Sequence, residues 1–392
     1  MRLKIVNSRV YDPDPVGEKA ILIEDGRILD VADHDGGFSG CRVLDASGLR
    51  AVPGFIDIHV HGGGGRCCME GTAQSVVAMA NAHAQYGTTT ILPTTWTAPL
   101  EEIGRAIDAV REATALPCDA TIAGVFLEGP FLAPEQAGAQ APGVLKTPEE
   151  ADWRSLIDRW SGIRMVGAAP ELPGARAMGD ALARRGIVGS IAHSQAYEED
   201  LRAAVEHGFS DVTHLYSCCS TFVRRGGFRV PGVVECALAW DSLTAQLIAD
   251  GRHLPDTMLR LVWKAKGTEL LTLVTDGLDF SASELEEGST YTQCNGMDVV
   301  YEDGVMKLMS REAFAGSVAT TDRLLRVAAG AGIPWTEALR MLTVNPAGRI
   351  GMADKKGRLR PGYDADVVLL DERLRVAGVV SGGRIIRWER NG

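Results

Sequence analysis

Pro53-Gly-Phe-Ile-Asp-Ile-His59-Val-His61-Gly62 decides how the rest of the chain is read. Its core is a short apolar run of strand character, and alternate strand residues share a face, so Asp57, His59 and His61 point the same way. Seven further runs of this kind follow: Thr88–Thr94, Thr121–Leu127, Arg164–Ala169, Ile187–Ala192, Asp211–Leu215, Thr244–Ala249 and Leu270–Thr275. They are nearly continuous in apolar residues, as expected of strands covered on both faces. Helical patterns separate most of them, most clearly at Ser75–Tyr86, Leu100–Ala115, Ala175–Arg185 and Glu198–His207. Eight strands alternating with helices over about 220 residues predict an α/β fold of the (β/α)8 TIM-like barrel type.

The ends of the chain read differently. Leu3–Val10 alternates, and Lys19–Glu24 leads into Asp25-Gly26, a hairpin turn signal. Near the other end, Asp366–Leu370, Val376–Val380 and Arg384–Arg387 are short strands, the last two joined through Gly382-Gly383. Neither end can bury a core by itself, and domain termini often lie close together, so both are expected to build one small β-sandwich domain. The expected division is 1–52 with 353–392 for that domain and 53–352 for the barrel, the latter closing with helices at Thr320–Ala331 and Thr336–Leu342.

Composition narrows the function. Over 392 residues, hydrophobic residues make up 45% and charged residues 23%, an ordinary balance for a globular enzyme. A net charge of −11 without a basic stretch argues against nucleic-acid binding. No apolar run reaches the roughly 20 residues of a membrane span and no signal-peptide pattern opens the chain, so no membrane partner and a cytoplasmic location are expected. The eight cysteines form no Cys-x-x-Cys pair, and two pairs are adjacent, Cys67-Cys68 and Cys218-Cys219. They are expected to be reduced thiols packed as small apolar residues.

The chemistry is read from what ends the strands: His59 and His61 on the first, Glu128 on the third, His193 on the fifth, His214 on the sixth and Asp276 on the eighth. Barrel enzymes place catalytic groups at this end. Four imidazoles and a carboxylate suit a borderline divalent metal, zinc before iron, manganese or cobalt, with an open position for a water that the ion would acidify. Asp276 could take that water's proton and pass it to a leaving group, which suits hydrolysis of an amide or related C–N bond. Of the other histidines, His253 follows the seventh strand on the same side and is expected to contact substrate. His83 is expected to be structural, His207 to sit at a helix C-terminus, and His34 to lie exposed in the β-domain.

At these residues the chain resembles the amidohydrolase superfamily, and within it the N-acetylglucosamine-6-phosphate deacetylases. After the opening motif come Leu127-Glu-Gly-Pro-Phe131 with Gly138-Ala-Gln140, then Ala192-His-Ser194, Thr213-His-Leu-Tyr216 and Ile248-Ala-Asp-Gly-Arg-His253. Val274-Thr-Asp276, Ala315-Gly-Ser317 and Val344-Asn-Pro-Ala347 complete the order. The resemblance covers nearly the whole chain. It implies that Glu128, His193 and His214 hold the metal, that His59 and His61 hold a second ion in some members, and that Asp276 is the catalytic acid and base. One or two ions per chain are therefore expected, with Glu128 bridging if there are two. It also implies a phosphorylated amino-sugar substrate, a homodimer, and substrate contacts from Ala139, Gln140, Ser217, Cys218, Arg229, His253 and Phe314-Ala315-Gly316.

Three departures fall on the substrate side. Gln140 stands where the family has a histidine that helps polarise the scissile carbonyl, and an uncharged amide stabilises an oxyanion less; a second metal on His59 and His61 could take over that work. Ser217-Cys218-Cys219 replaces an Asn-Ala-Met, and the segment Thr221–Gly232 is long, with Arg224 and Arg225 as rivals to Arg229 for an anion. The main alternatives are another N-acyl amine, an N-acyl amino acid or a cyclic amide as substrate, a deaminase, or a binding protein that keeps the fold.

Overall fold

The computed structural model describes residues 1–33 and 37–389. Its centre is a barrel of eight parallel strands: β1 (Phe55–Val60), β2 (Thr88–Pro93), β3 (Val125–Glu128), β4 (Ile163–Ala168), β5 (Val188–Ile191), β6 (Phe209–Val212), β7 (Thr244–Ile248) and β8 (Leu271–Val274). Neighbours pair in this order from β3 to β8, and β1 pairs with β2. Parallel bridges Thr94–Phe126 and Val60–Gly277 close the ring. One helix follows each strand, from Ala73–Ala84 after β1 to Thr321–Gly330 after β8. The expected barrel is thus present, with most strand ends shifted by a residue or two, the start of β3 by four and the end of β6 by three. Gly54, at its entrance, has a steric reason: a Cβ there would lie 2.0 Å from Thr89 Oγ1, so the chain could not approach β2.

Both chain ends contribute to one eight-stranded sheet. Val367–Leu370 pairs antiparallel with Arg50–Pro53, which pairs in parallel with Arg2–Tyr11. Leu3, Ile5, Ile21, Ile23, Val367, Leu369 and Val380 fill its core. His34 lies outside the described residues.

Two features depart from expectation. Thr290–Thr292, Asp298–Glu302, Val305–Leu308 and Phe314–Gly316 form a four-stranded antiparallel sheet between β8 and its helix. Cys67 and Cys294 are joined as a disulfide, which corrects the expectation of thiols throughout. The bond ties the loop after β1 to this inserted sheet across 227 residues of sequence. The two cysteines are too far apart in sequence for their spacing to announce it. Alkylation of the denatured protein should label the six free cysteines before reduction and all eight after it. Eight labels without reductant would show that the bond does not form.

Candidate metal centre and active-site cavity

The barrel strands deliver six polar side chains to one point. His59 lies within β1 and Glu128 ends β3, while His193, His214 and Asp276 each lie two residues beyond β5, β6 and β8. The last three have positive φ, 45°, 28° and 47°. Non-glycine residues adopt that region at a cost, and such strain clusters where a side chain must be aimed. Here all three such residues follow a barrel strand and have side chains that meet at the barrel mouth.

The ring nitrogens converge. His59 Nε2 is 3.3 Å from His61 Nε2, and His214 Nε2 is 3.2 Å from His193 Nε2. Glu128 sits between the pairs: Oε1 is 3.0 Å from His214 Nε2, 3.4 Å from His193 Nε2 and 3.7 Å from His59 Nε2, and Oε2 is 3.5 Å from His61 Nε2. Asp276 Oδ1 lies 3.3 Å from His59 Nε2 and 3.1 Å from His61 Nε2. The donor atoms form two groups that share the glutamate, His59/His61/Glu128 and Glu128/His193/His214. Burial pushes Asp276 up, but the charges of His59 and His61 and the hydrogen bond from His61 outweigh it and hold the carboxyl at about 2. Glu128 is held well below its ordinary range against its own burial, by His59, His193 and His214.

These residues fit a divalent cation. His61 Nδ1 faces the Thr94 carbonyl at 3.2 Å and His193 Nδ1 faces the Gln136 carbonyl at 2.7 Å. A carbonyl only accepts, so each ring keeps a proton on Nδ1, and Nε2 is the atom it presents to the other inward groups. Imidazole nitrogens buried beside two carboxylates need positive charge among them, which a bound cation would supply in place of protons. Imidazole and carboxylate donors select a metal of intermediate softness.

Above this floor opens a cavity of about 710 Å³, within the range of small-molecule sites. The structure brings Ala139, Gln140, Ser217, Cys218, His253, Phe314, Ala315 and Gly316 to its wall. His253 Nδ1 is held by Asp250 Oδ2 at 2.8 Å, and its ring packs on Phe314 at 5.0 Å. Gly138 lets the loop before Gln140 close down: its φ is +59°, and a Cβ would lie 2.6 Å from Cys218 Sγ. Gln140 is placed between protein groups. Its Nε2 donates to Glu128 Oε2 at 2.9 Å, and Thr97 N donates to its Oε1 at 2.8 Å.

Arg229 is not brought to this cavity. It is exposed on the hairpin Val223–Arg225/Phe228–Val230, opposite Arg224, while Arg225 stacks over Tyr197 at 4.3 Å. The hairpin turns at Gly226-Gly227, and none of its arginines lines the cavity. His83 is buried with Nε2 2.9 Å from the Gly62 carbonyl, and His207 caps the helix Glu198–Glu206 with Nδ1 3.0 Å from Asp180.

Sequence reasoning missed Trp96, Thr97, Gln293, Asn295 and Met297 on the cavity wall, three of them on the inserted sheet and its turn. It also missed Gln246 and Asp211, buried behind His59. The available signal was a polar residue inside an apolar strand, as in Thr244-Ala-Gln246-Leu-Ile248. No helix among the described residues is long and apolar enough to cross a membrane.

The amidohydrolase family model matches residues 50–386. The chain is 30% identical over 372 residues to an N-acetylglucosamine-6-phosphate deacetylase of Lysinibacillus sphaericus, covering 93% of this chain and 92% of that one. It is 34% identical over 339 residues to an N-acetylgalactosamine-6-phosphate deacetylase of Shewanella sp. (strain ANA-3), covering 86% and 82%. A mutant N-acetyl-D-glucosamine-6-phosphate deacetylase from Mycobacterium smegmatis, solved in complex with N-acetyl-D-glucosamine-6-phosphate, superposes with a TM-score of 0.88 at 28% identity, covering 98% of this chain and 99% of that one. With its barrel, its inward histidines and these relatives, the chain belongs to the amidohydrolase family.

Proposed function

We propose that this protein is a divalent-metal-dependent deacetylase that hydrolyses the N-acetyl amide of an amino-sugar 6-phosphate to acetate and the free amine. The observation that carries the reading is Asp276, ionised and within 3.3 Å of two metal-type histidines, on the floor of a cavity sized for a sugar. His59, His61, Glu128, His193 and His214 would hold a divalent cation, which would supply Lewis-acid activation of a water and of the acetyl carbonyl. Asp276 Oδ1 accepts a proton from the attacking water as its oxygen bonds to the acetyl carbon, and returns that proton to the amine nitrogen as the C–N bond breaks and acetate leaves. Gln140 and Thr97 fix Glu128 from the side of the loop. His253, with Nδ1 committed to Asp250, has Nε2 left for a substrate oxygen.

Zinc suits this donor set best, and Glu128, common to both donor groups, would serve both ions if two bind. We further propose a cytoplasmic homodimer, supported by Phe222 and Phe228, 52% and 79% exposed on the arginine hairpin. In it, the hairpin of a second copy carries Arg229 to the phosphate. The division into 1–52 with 353–392 and 53–352 is proposed as the domain boundary, supported by the chain-end sheet and the barrel.

One observation favours a second reading, an unphosphorylated N-acyl amine: no lysine or arginine lines the cavity among the described residues. Acetate release separates the two. The 6-phosphates of N-acetylglucosamine and N-acetylgalactosamine should be hydrolysed far faster than the free sugars or N-acetyl amino acids. Equal rates with and without the phosphate would favour the second reading.

A further inference from the structure

Three of the four inward histidines have Nδ1 beside a carbonyl oxygen. For His61 and His193 the acceptor is the main chain, which no substitution removes. For His59 it is a side chain: Nδ1 lies 3.0 Å from Gln246 Oε1 on β7, and both residues are fully buried. An amide has a donating and an accepting end, so something must decide which one faces His59. That group is Asp211 on β6, 1% exposed. Its Oδ2 receives Gln246 Nε2 at 2.7 Å and Ser190 Oγ at 2.9 Å, and its Oδ1 receives Thr244 Oγ1. Three donors converge on a carboxylate that only accepts. The NH2 of Gln246 must therefore face Asp211, its oxygen must face His59, and His59 must carry its proton on Nδ1. Nε2 then points at His61, Glu128 and Asp276.

We propose that Gln246, held in one orientation by Asp211, is the positioning residue that fixes His59 as its Nδ1–H form and so prepares the His59/His61 half of the centre for a cation. The His193/His214 half has its own main-chain acceptor and does not depend on it. The inference rests on the reading of His59 and His61 as metal ligands, and the test separates the two.

The full-length protein, stripped of metal, is titrated with Zn²⁺ against a chromophoric chelator, and ring tautomers are read by nitrogen NMR on histidine-labelled protein, with His59→Asn for assignment. Wild type should bind two equivalents and show His59 as Nδ1–H before metal is added. Gln246→Leu keeps the volume and removes the acceptor. It should lose that tautomer preference and weaken the second equivalent about 10- to 100-fold, the usual effect of removing an outer partner of a metal histidine, while the first equivalent is retained and reports a folded barrel. Gln246→Glu, protonated on the oxygen that donates to Asp211, keeps an acceptor toward His59 and should retain both the tautomer and the second equivalent. A packing role would rank the variants the other way, with leucine tolerated and glutamate not, and that ranking overturns the proposal. An unchanged His59 tautomer in Gln246→Leu overturns it directly. Wild type binding one equivalent, with the tautomer still lost in Gln246→Leu, would overturn the metal reading of His59 and His61 and leave the role of Gln246 standing.

Discussion

Asp276→Asn is expected to lower kcat by about 10²- to 10⁴-fold, the range for loss of a positioned proton-transfer group, while KM and bound metal change little. Asparagine keeps the size of the side chain and tolerates the left-handed backbone found here, where φ is 47°. What disappears is the carboxylate that burial opposes and His59 and His61 sustain. Steady-state kinetics beside a metal count provides the check. A kcat within a few-fold of wild type would remove Asp276 from the proton path. Loss of metal together with activity would make it a ligand.

Glu128→Gln should have the other largest effect, through binding of the cation. This carboxylate is within 3.7 Å of all four inward imidazoles and is 1% exposed. Both groups of donors include it. An amide supplies no charge to balance the cation, and both halves of the centre weaken together. The several kcal/mol that a cation contributes to such a reaction corresponds to a loss of about 10³-fold or more. His59→Asn, by contrast, should spare the Glu128/His193/His214 half. Metal analysis of the two variants tests this: Glu128→Gln retaining its full metal content would contradict the central placement of the glutamate.

The barrel was legible because its strands are buried on both faces and so are written as apolar runs, and because functional groups gather at one end of such strands. His61, Glu128, His193, His214 and Asp276 each fall at the end of one of those runs. What stayed hidden depends on contacts between distant segments. The Cys67–Cys294 bond and the inserted sheet are of this kind, although Asp303-Gly304 between Asp298–Glu302 and Val305–Leu308 is a hairpin signal that was open to reading. Gln140 was expected to reach toward substrate, and it does line the cavity. Its hydrogen bonds to Glu128 and Thr97 bind it to the metal side as well, a pairing between β3's loop and β2's loop that no spacing encodes. Gln246 and Asp211 were visible as polar residues in apolar strands, but their partner His59 lies more than 150 residues away.

The central claim is tested most directly by acetate release from N-acetylglucosamine 6-phosphate before chelation, after it, and after divalent metal is restored. The account predicts release by the metal-loaded protein, its loss on chelation and its return with zinc or a similar ion. Undiminished release from protein shown to be free of metal, or no release from fully loaded protein with either 6-phosphate epimer, would contradict it.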